Sequence, residues 1–192
     1  MNGGTPTVLP GTWSASVEWL VRRLASRVPG LAFLEVRYRQ KSWQHFELCV
    51  EDGRAAVAAA RAAGAERVAL LGFSMGGAVA VRSAAEPAVG LVLGVNPWLP
   101  PQLELEPLVG RRLAILHAAL DAPLPGIPGV KPSLSQAAFE RARALGIDAA
   151  RRVVPGAFHA VALRRRDGRL LTLPGAQRFG ALAGEELERF CT

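Results

Sequence analysis

Arg67-Val68-Ala69-Leu70-Leu71-Gly72-Phe73-Ser74-Met75-Gly76-Gly77 is the stretch on which the reading of this chain turns. An apolar run, Arg67–Gly72, has the length and residue types of a buried strand, and Ser74–Glu86 reads as a helix that stops before Pro87. Between them lies G-x-S-x-G, a string that a chain of this composition would contain by chance about one time in ten. The setting makes it specific. A serine on a sharp strand-to-helix turn is held in strained backbone geometry, and glycines on either side let strand and helix approach closely. Its hydroxyl then stands at a helix N-terminus, where the dipole favours a developing anion.

Working outward, short apolar runs alternate with helical periodicity, the pattern of an α/β protein with a mainly parallel sheet. Upstream, Pro6–Leu9 and Leu31–Tyr38 read as strands. Between them Val17, Leu20, Val21, Leu24 and Val28 fall on one helical face, and a helix from about Phe46 to Ala63 closes at Gly64. Downstream, strands are expected at Gly90–Val95, Arg112–His117 and Ala150–Val154, and helices at Ser133–Leu145 and Ala176–Phe190. A Pro/Gly-rich loop covers Asp121–Pro132. Val161–Leu163 and Leu170–Leu173 look like a β-hairpin turning through Asp167-Gly168, with an irregular loop as the alternative. There is no internal repeat and no long linker, so residues 1–192 are expected to form a single domain.

At this point the sequence resembles the α/β-hydrolase superfamily, over roughly residues 5–160. The resemblance implies a three-layer α/β sandwich, here a minimal version with about six strands, because the chain begins at what would be that fold's third strand. It also implies a nucleophile, acid and base in that chain order. Ser74 is then the nucleophile, Asp121, following the strand that ends at His117, the orienting acid, and His159, following the strand at Ala150–Val154, the base. The oxyanion hole would use the backbone N–H of Met75 and one from the loop after the first strand, Thr12 or Trp13. The superfamily commonly has His-Gly in that loop; this chain has Pro10-Gly11, which leaves open which of Thr12 and Trp13 points inward.

The residues themselves point the same way. A serine hydroxyl needs a base within reach, and histidine serves best near neutral pH. Of three histidines, His45 sits in a polar loop, His117 reads as a sheet-end residue packed beneath the following loop, and His159 follows a strand end among small residues. Among four aspartates, Asp52 opens a helix, Asp148 precedes a strand and Asp167 marks a turn, leaving Asp121. The segment Asn96–Gly110 is too short and proline-rich for a helical lid, so the site should be open. Trp98, Leu99, Leu103 and Trp43 would line an apolar acyl groove or else pack their loops in the ordinary way.

Composition narrows the function classes. Half the residues are hydrophobic and a fifth charged, which excludes a disordered or low-complexity chain. No apolar run is long enough for a membrane span and no leader is evident, so the chain is expected in the cytoplasm and away from membranes. The formal charge of +7 comes from 23 basic and 16 acidic residues. The densest basic run, Arg164–Arg166 with Arg169, has no interleaved aromatics, so nucleic acid is not expected as a partner. Cys49 and Cys191 lie in no metal-ligand spacing, and serine hydrolysis calls for no metal or other cofactor.

Three functions fit. The leading one is a serine carboxylesterase acting on small-molecule esters. The second is a thioesterase taking acyl groups from an acidic carrier protein or coenzyme A, which would slow as salt screens the arginines. The third is a non-catalytic binding module with no serine chemistry. Dienelactone-type chemistry fits the scaffold too, but such a site would use cysteine where this elbow carries serine.

Overall fold

The computed structural model describes residues 1–5, 9–10, 14–123 and 129–192. In chain order the elements are β1 (Leu9–Pro10), α1 (Ala15–Arg27), β2 (Gln40–Lys41), α2 (Phe46–Ala62), β3 (Val68–Phe73) and α3 (Met75–Ser83). There follow β4 (Val89–Val95), a 3₁₀ turn at Glu106–Leu108, β5 (Arg112–Ala118), α4 (Pro132–Ala144) and β6 (Asp148–Val154). A hairpin of β7 (Ala162–Arg164) and β8 (Leu170–Thr172) precedes α5 (Ala176–Cys191).

The centre is a parallel sheet in the order β3-β4-β5-β6. Alternation along its strands divides the core into two layers. Leu91, Leu93, Val95, Ala114 and Leu116 face α1 and α5, meeting Leu20, Leu24, Phe179 and Leu187. Leu70, Val92, Leu113 and Ile115 face the other way, toward Val50 and Val57 of α2, Val79 and Val81 of α3, and Ala138 and Ala142 of α4. This is the expected three-layer α/β architecture, with four hydrogen-bonded strands in the described parallel sheet rather than about six. No helix among the described residues is long and apolar enough to cross a membrane.

The missing strands have a physical explanation. Leu31–Tyr38 was expected to pair into the sheet, but Met1 and Asn2 occupy the free edge of β3 instead. The Met1 ammonium donates to Leu71 O at 2.6 Å and the Phe73 N–H donates to Met1 O at 3.1 Å. The 31–38 segment is held indirectly, through Asn2 Nδ2 on Val36 O (2.7 Å) and the Tyr38 hydroxyl on Asn2 O (3.2 Å). A cavity of about 150 Å³, lined by both Leu31–Val36 and Val68–Leu71, opens where the two runs fail to zip. The strand expected at Pro6–Leu9 lies largely outside the described residues; Leu9–Pro10 pairs antiparallel with Gln40–Lys41.

The hairpin forms, though not with a two-residue turn. Arg165 N–H donates to Arg169 O (2.9 Å) and Gly168 N–H to Arg165 O (3.0 Å), with Gly168 at φ +81°. That is a three-residue connection ending in a left-handed glycine, which matches the twist of the strands. Its base is fastened to α1 by the buried Ser16, whose Oγ accepts from Val161 N–H at 3.0 Å and donates to Ala162 O at 3.2 Å.

Candidate active site

All four sheet strands point their carboxyl ends the same way, and the candidate residues gather there. Ser74 follows β3 directly, with φ +54° and ψ −122°. A residue with a side chain is strained in that conformation, at a cost of about 1–3 kcal/mol that the surroundings must offset. They do so with backbone bonds: Ser74 N–H to Val95 O (3.2 Å), and Ser74 O accepting from Gly77 N–H (2.9 Å) and Trp98 N–H (2.8 Å). A Cβ on Gly76 would stand 2.5 Å from Met1 O, so only glycine fits where the helix crosses the N-terminal segment. Met75 is the first residue of α3, and its N–H has no acceptor within the helix.

Asp121 lies three residues past β5. The turn that carries it is tied down by Ala119 N–H on Val154 O and Leu120 N–H on Ala157 O, each 3.0 Å. Its Oδ1 accepts from Val130 N–H at 2.8 Å and its Oδ2 from His159 Nδ1 at 2.8 Å. Burial pushes this carboxyl up, but hydrogen bonds from His117 and His159, the His159 charge and the Val130 N–H outweigh it and hold Asp121 below the usual carboxylate range. With Nδ1 facing a carboxylate, the His159 proton belongs on Nδ1 and Nε2 is left as the basic nitrogen. The His159 ring stacks at a tilt, 5.1 Å between centroids, on Phe73, the residue before Ser74.

Two residues read otherwise in the sequence belong to this cluster. Asn96, taken as the start of a connecting segment, is fully buried at φ +46°. Its Nδ2 donates to His159 O (2.6 Å) and Phe158 O (3.3 Å), while its Oδ1 accepts from Ala118 N–H (2.7 Å). It therefore joins the end of β5 to the loop bearing His159. An asparagine immediately after a buried strand, where left-handed backbone is tolerated, was the available signal. His117 is packed beneath the loop as expected, yet its Nε2 also reaches Val130 O at 2.9 Å and Asp121 Oδ2 at 3.1 Å.

The candidate acyl groove divides. Trp43 and Trp98 are half-buried and meet edge to face at 4.7 Å, with Trp98 beside the elbow through its bond to Ser74 O. Leu99 and Leu103 are instead buried in the core with Met75, Leu105 and Leu108, because the proline-rich segment folds back on the sheet layer. Thr12 and Trp13 lie outside the described residues. The 150 Å³ cavity at the edge of β3 is lined by none of Ser74, Asp121 or His159.

A buried strand, a positive-φ serine and a carboxylate-bound histidine at the carboxyl ends of a parallel sheet define the α/β-hydrolase class. A family model for the dienelactone hydrolase family matches residues 35–177, and the chain belongs to that family. No curated protein matches the sequence. Among solved structures, a dienelactone hydrolase-like promiscuous phosphotriesterase, P91, from metagenomic libraries is similar at 19% identity. That match has a TM-score of 0.66 and covers 96% of this chain and 86% of that one. An α/β serine hydrolase homologue from Coxiella burnetii has 18% identity and a TM-score of 0.62, covering 88% and 76%. An uncharacterized protein from Bacillus cereus matches at 16% identity and a TM-score of 0.62 over 98% of this chain, which spans 58% of that protein's length. The chain thus has the α/β-hydrolase fold and belongs to a family of hydrolases.

Proposed function

We propose that the protein is a serine esterase cleaving small carboxylic esters through an acyl-enzyme on Ser74. The observation that carries this reading is the 2.8 Å bond from His159 Nδ1 to Asp121, with the His159 ring against Phe73, the residue before a serine at φ +54°. His159 Nε2 takes the Ser74 proton as Oγ attacks the ester carbonyl, and Asp121, ionised by its hydrogen bonds, stabilises the resulting imidazolium. In this reading the Met75 N–H, without an acceptor inside its helix, receives the tetrahedral oxyanion, with a second donor assigned to Thr12 or Trp13. The imidazolium then protonates the departing alcohol, and water repeats the sequence to release the acid. In this reading Trp43 and Trp98 form the acyl side of the site.

A second reading, thioester hydrolysis on an acidic carrier, is supported by the hairpin that follows His159. It carries Arg164, Arg165, Arg166 and Arg169 against the single acid Asp167. The phosphotriesterase named among the structural neighbours makes phosphotriesters a further substrate class to include.

The test is turnover of nitrophenyl esters from acetate to decanoate by wild type, Ser74→Ala and His159→Ala, with fluorophosphonate labelling of Ser74. Turnover lost in both folded variants supports the esterase. Labelling without ester turnover, together with thioester cleavage that falls with salt, transfers the assignment to the second reading. No turnover and no labelling leaves a binding module.

A further inference from the structure

Asp121 Oδ2 faces two histidines. His159 Nδ1 lies 2.8 Å away and His117 Nε2 3.1 Å away, with Val130 O a further 2.9 Å from the same Nε2. Both atoms in front of His117 Nε2 are acceptors, so that nitrogen carries the proton. Nδ1 on the opposite side of the ring is buried and has no hydrogen-bond partner among the described residues. The whole side chain is shielded from solvent. A residue serving only to fill space here would be apolar, since an unpaired buried nitrogen is costly.

We propose that His117 is a positioning residue of the hydrolytic site: neutral and Nε2-protonated, it bridges Asp121 Oδ2 and Val130 O and limits how tightly Asp121 holds the His159 imidazolium. The proposal rests on the reading of Asp121 and His159 as orienting acid and base. A second donor on one carboxylate oxygen shares the charge on which the first depends. Without it Asp121 would bind protonated His159 more strongly, and the free base needed for attack would be lost at higher pH. The bridge also fixes the carboxylate from behind, together with the Val130 N–H on Oδ1.

The ionisable groups acting on Asp121 among the described residues are His117, from the end of β5, and His159, from the loop after β6. On the neighbouring elements Arg151 of β6 is engaged with Ser135 Oγ (3.0 Å) and Pro132 O (3.1 Å), and Lys131 is exposed.

The experiment compares kcat/KM against pH for wild type, His117→Leu and His117→Gln on one nitrophenyl ester. Leucine removes the donor, whereas the glutamine amide can place an N–H near the position of Nε2. The acid limb of His117→Leu is expected to move up by about 0.5 to 1 pH unit, with KM unchanged. The loss is then threefold to tenfold greater at low pH than on the alkaline plateau, and His117→Gln keeps the wild-type limb. Superimposable limbs for wild type and His117→Leu overturn the proposal. Should the leucine variant not fold, ¹⁵N-resolved imidazole spectra of wild type decide. A neutral His117 protonated at Nε2, with that proton's shift altered in Asp121→Asn, supports the bridge, and a proton on Nδ1 refutes it. A wild-type enzyme without turnover would sink the hydrolytic reading itself, which the superimposable profiles of active enzymes would not.

Discussion

Replacing Asn96 by alanine tests whether the base loop is held from the sheet. The substitution removes a donor to His159 O (2.6 Å) and to Phe158 O (3.3 Å) and the acceptor for Ala118 N–H (2.7 Å), all in a fully buried site. An orphaned buried backbone group costs about 1–3 kcal/mol, and two such groups, Ala118 N–H and His159 C=O, are left behind. Alanine also tolerates φ +46° less well than asparagine, adding about 1 kcal/mol. Allowing for water entering the gap, the loss should be about 3–5 kcal/mol, read as a shift of the guanidinium midpoint at constant slope. Activity should fall beyond what unfolding explains, by about 10- to 100-fold in kcat with KM little changed, since His159 loses its anchor. Asn96→Gly should recover the conformational part alone. A loss below about 1 kcal/mol with wild-type turnover would refute the claim that Asn96 positions the base.

Other substitutions probe neighbouring parts. Ser74→Gly and Ser74→Ala should both abolish turnover, yet the glycine variant should be the more stable by about 1 kcal/mol, because it alone is unstrained at φ +54°; equal or reversed stabilities would contradict the strain. Asp121 is held below its ordinary range, so its ionised form stabilises the fold above about pH 4, and that contribution disappears as pH falls through the depressed value. The stability gap between wild type and Asp121→Asn should therefore shrink on acidification, and a gap that widened in acid would reverse the sign. Arg112→Met strips a 2.9 Å partner from the buried Glu186, leaving Arg189 at 3.6 Å and Arg152 at 3.9 Å. Thermal unfolding should show a loss of about 2–3 kcal/mol with kcat unchanged, and a neutral result would mean that the remaining arginines suffice.

The elbow was legible because its chemistry is local: a glycine two residues either side of Ser74 and an apolar strand before it. Asp121 and His159 were proposed from chain order, and the structure bonds the two to each other. Asn96 and His117 were not, because what defines them is distant in the chain. Asn96 bonds a carbonyl 63 residues away, and His117 is singled out by its contact with the Val130 carbonyl across a loop. The 31–38 run has strand composition, but pairing depends on which segment holds the edge of β3, and Met1–Asn2 does. The apolar character of Leu99 and Leu103 served equally for a groove or a core, and in the structure their segment packs both into the core.

Parallel strands have one further consequence. Ser74, Asn96, Asp121 and His159 hang from the carboxyl rim of the sheet, whereas Arg112 and Asp148 begin their strands at the opposite rim and join Glu186 of α5 there. A seven-residue strand separates the rims by about 20 Å, far enough for free-energy changes at the two to add independently. The scaffold can therefore take on costly changes of specificity at one rim and recover robustness at the other, which leaves laboratory evolution of this protein two separately adjustable surfaces.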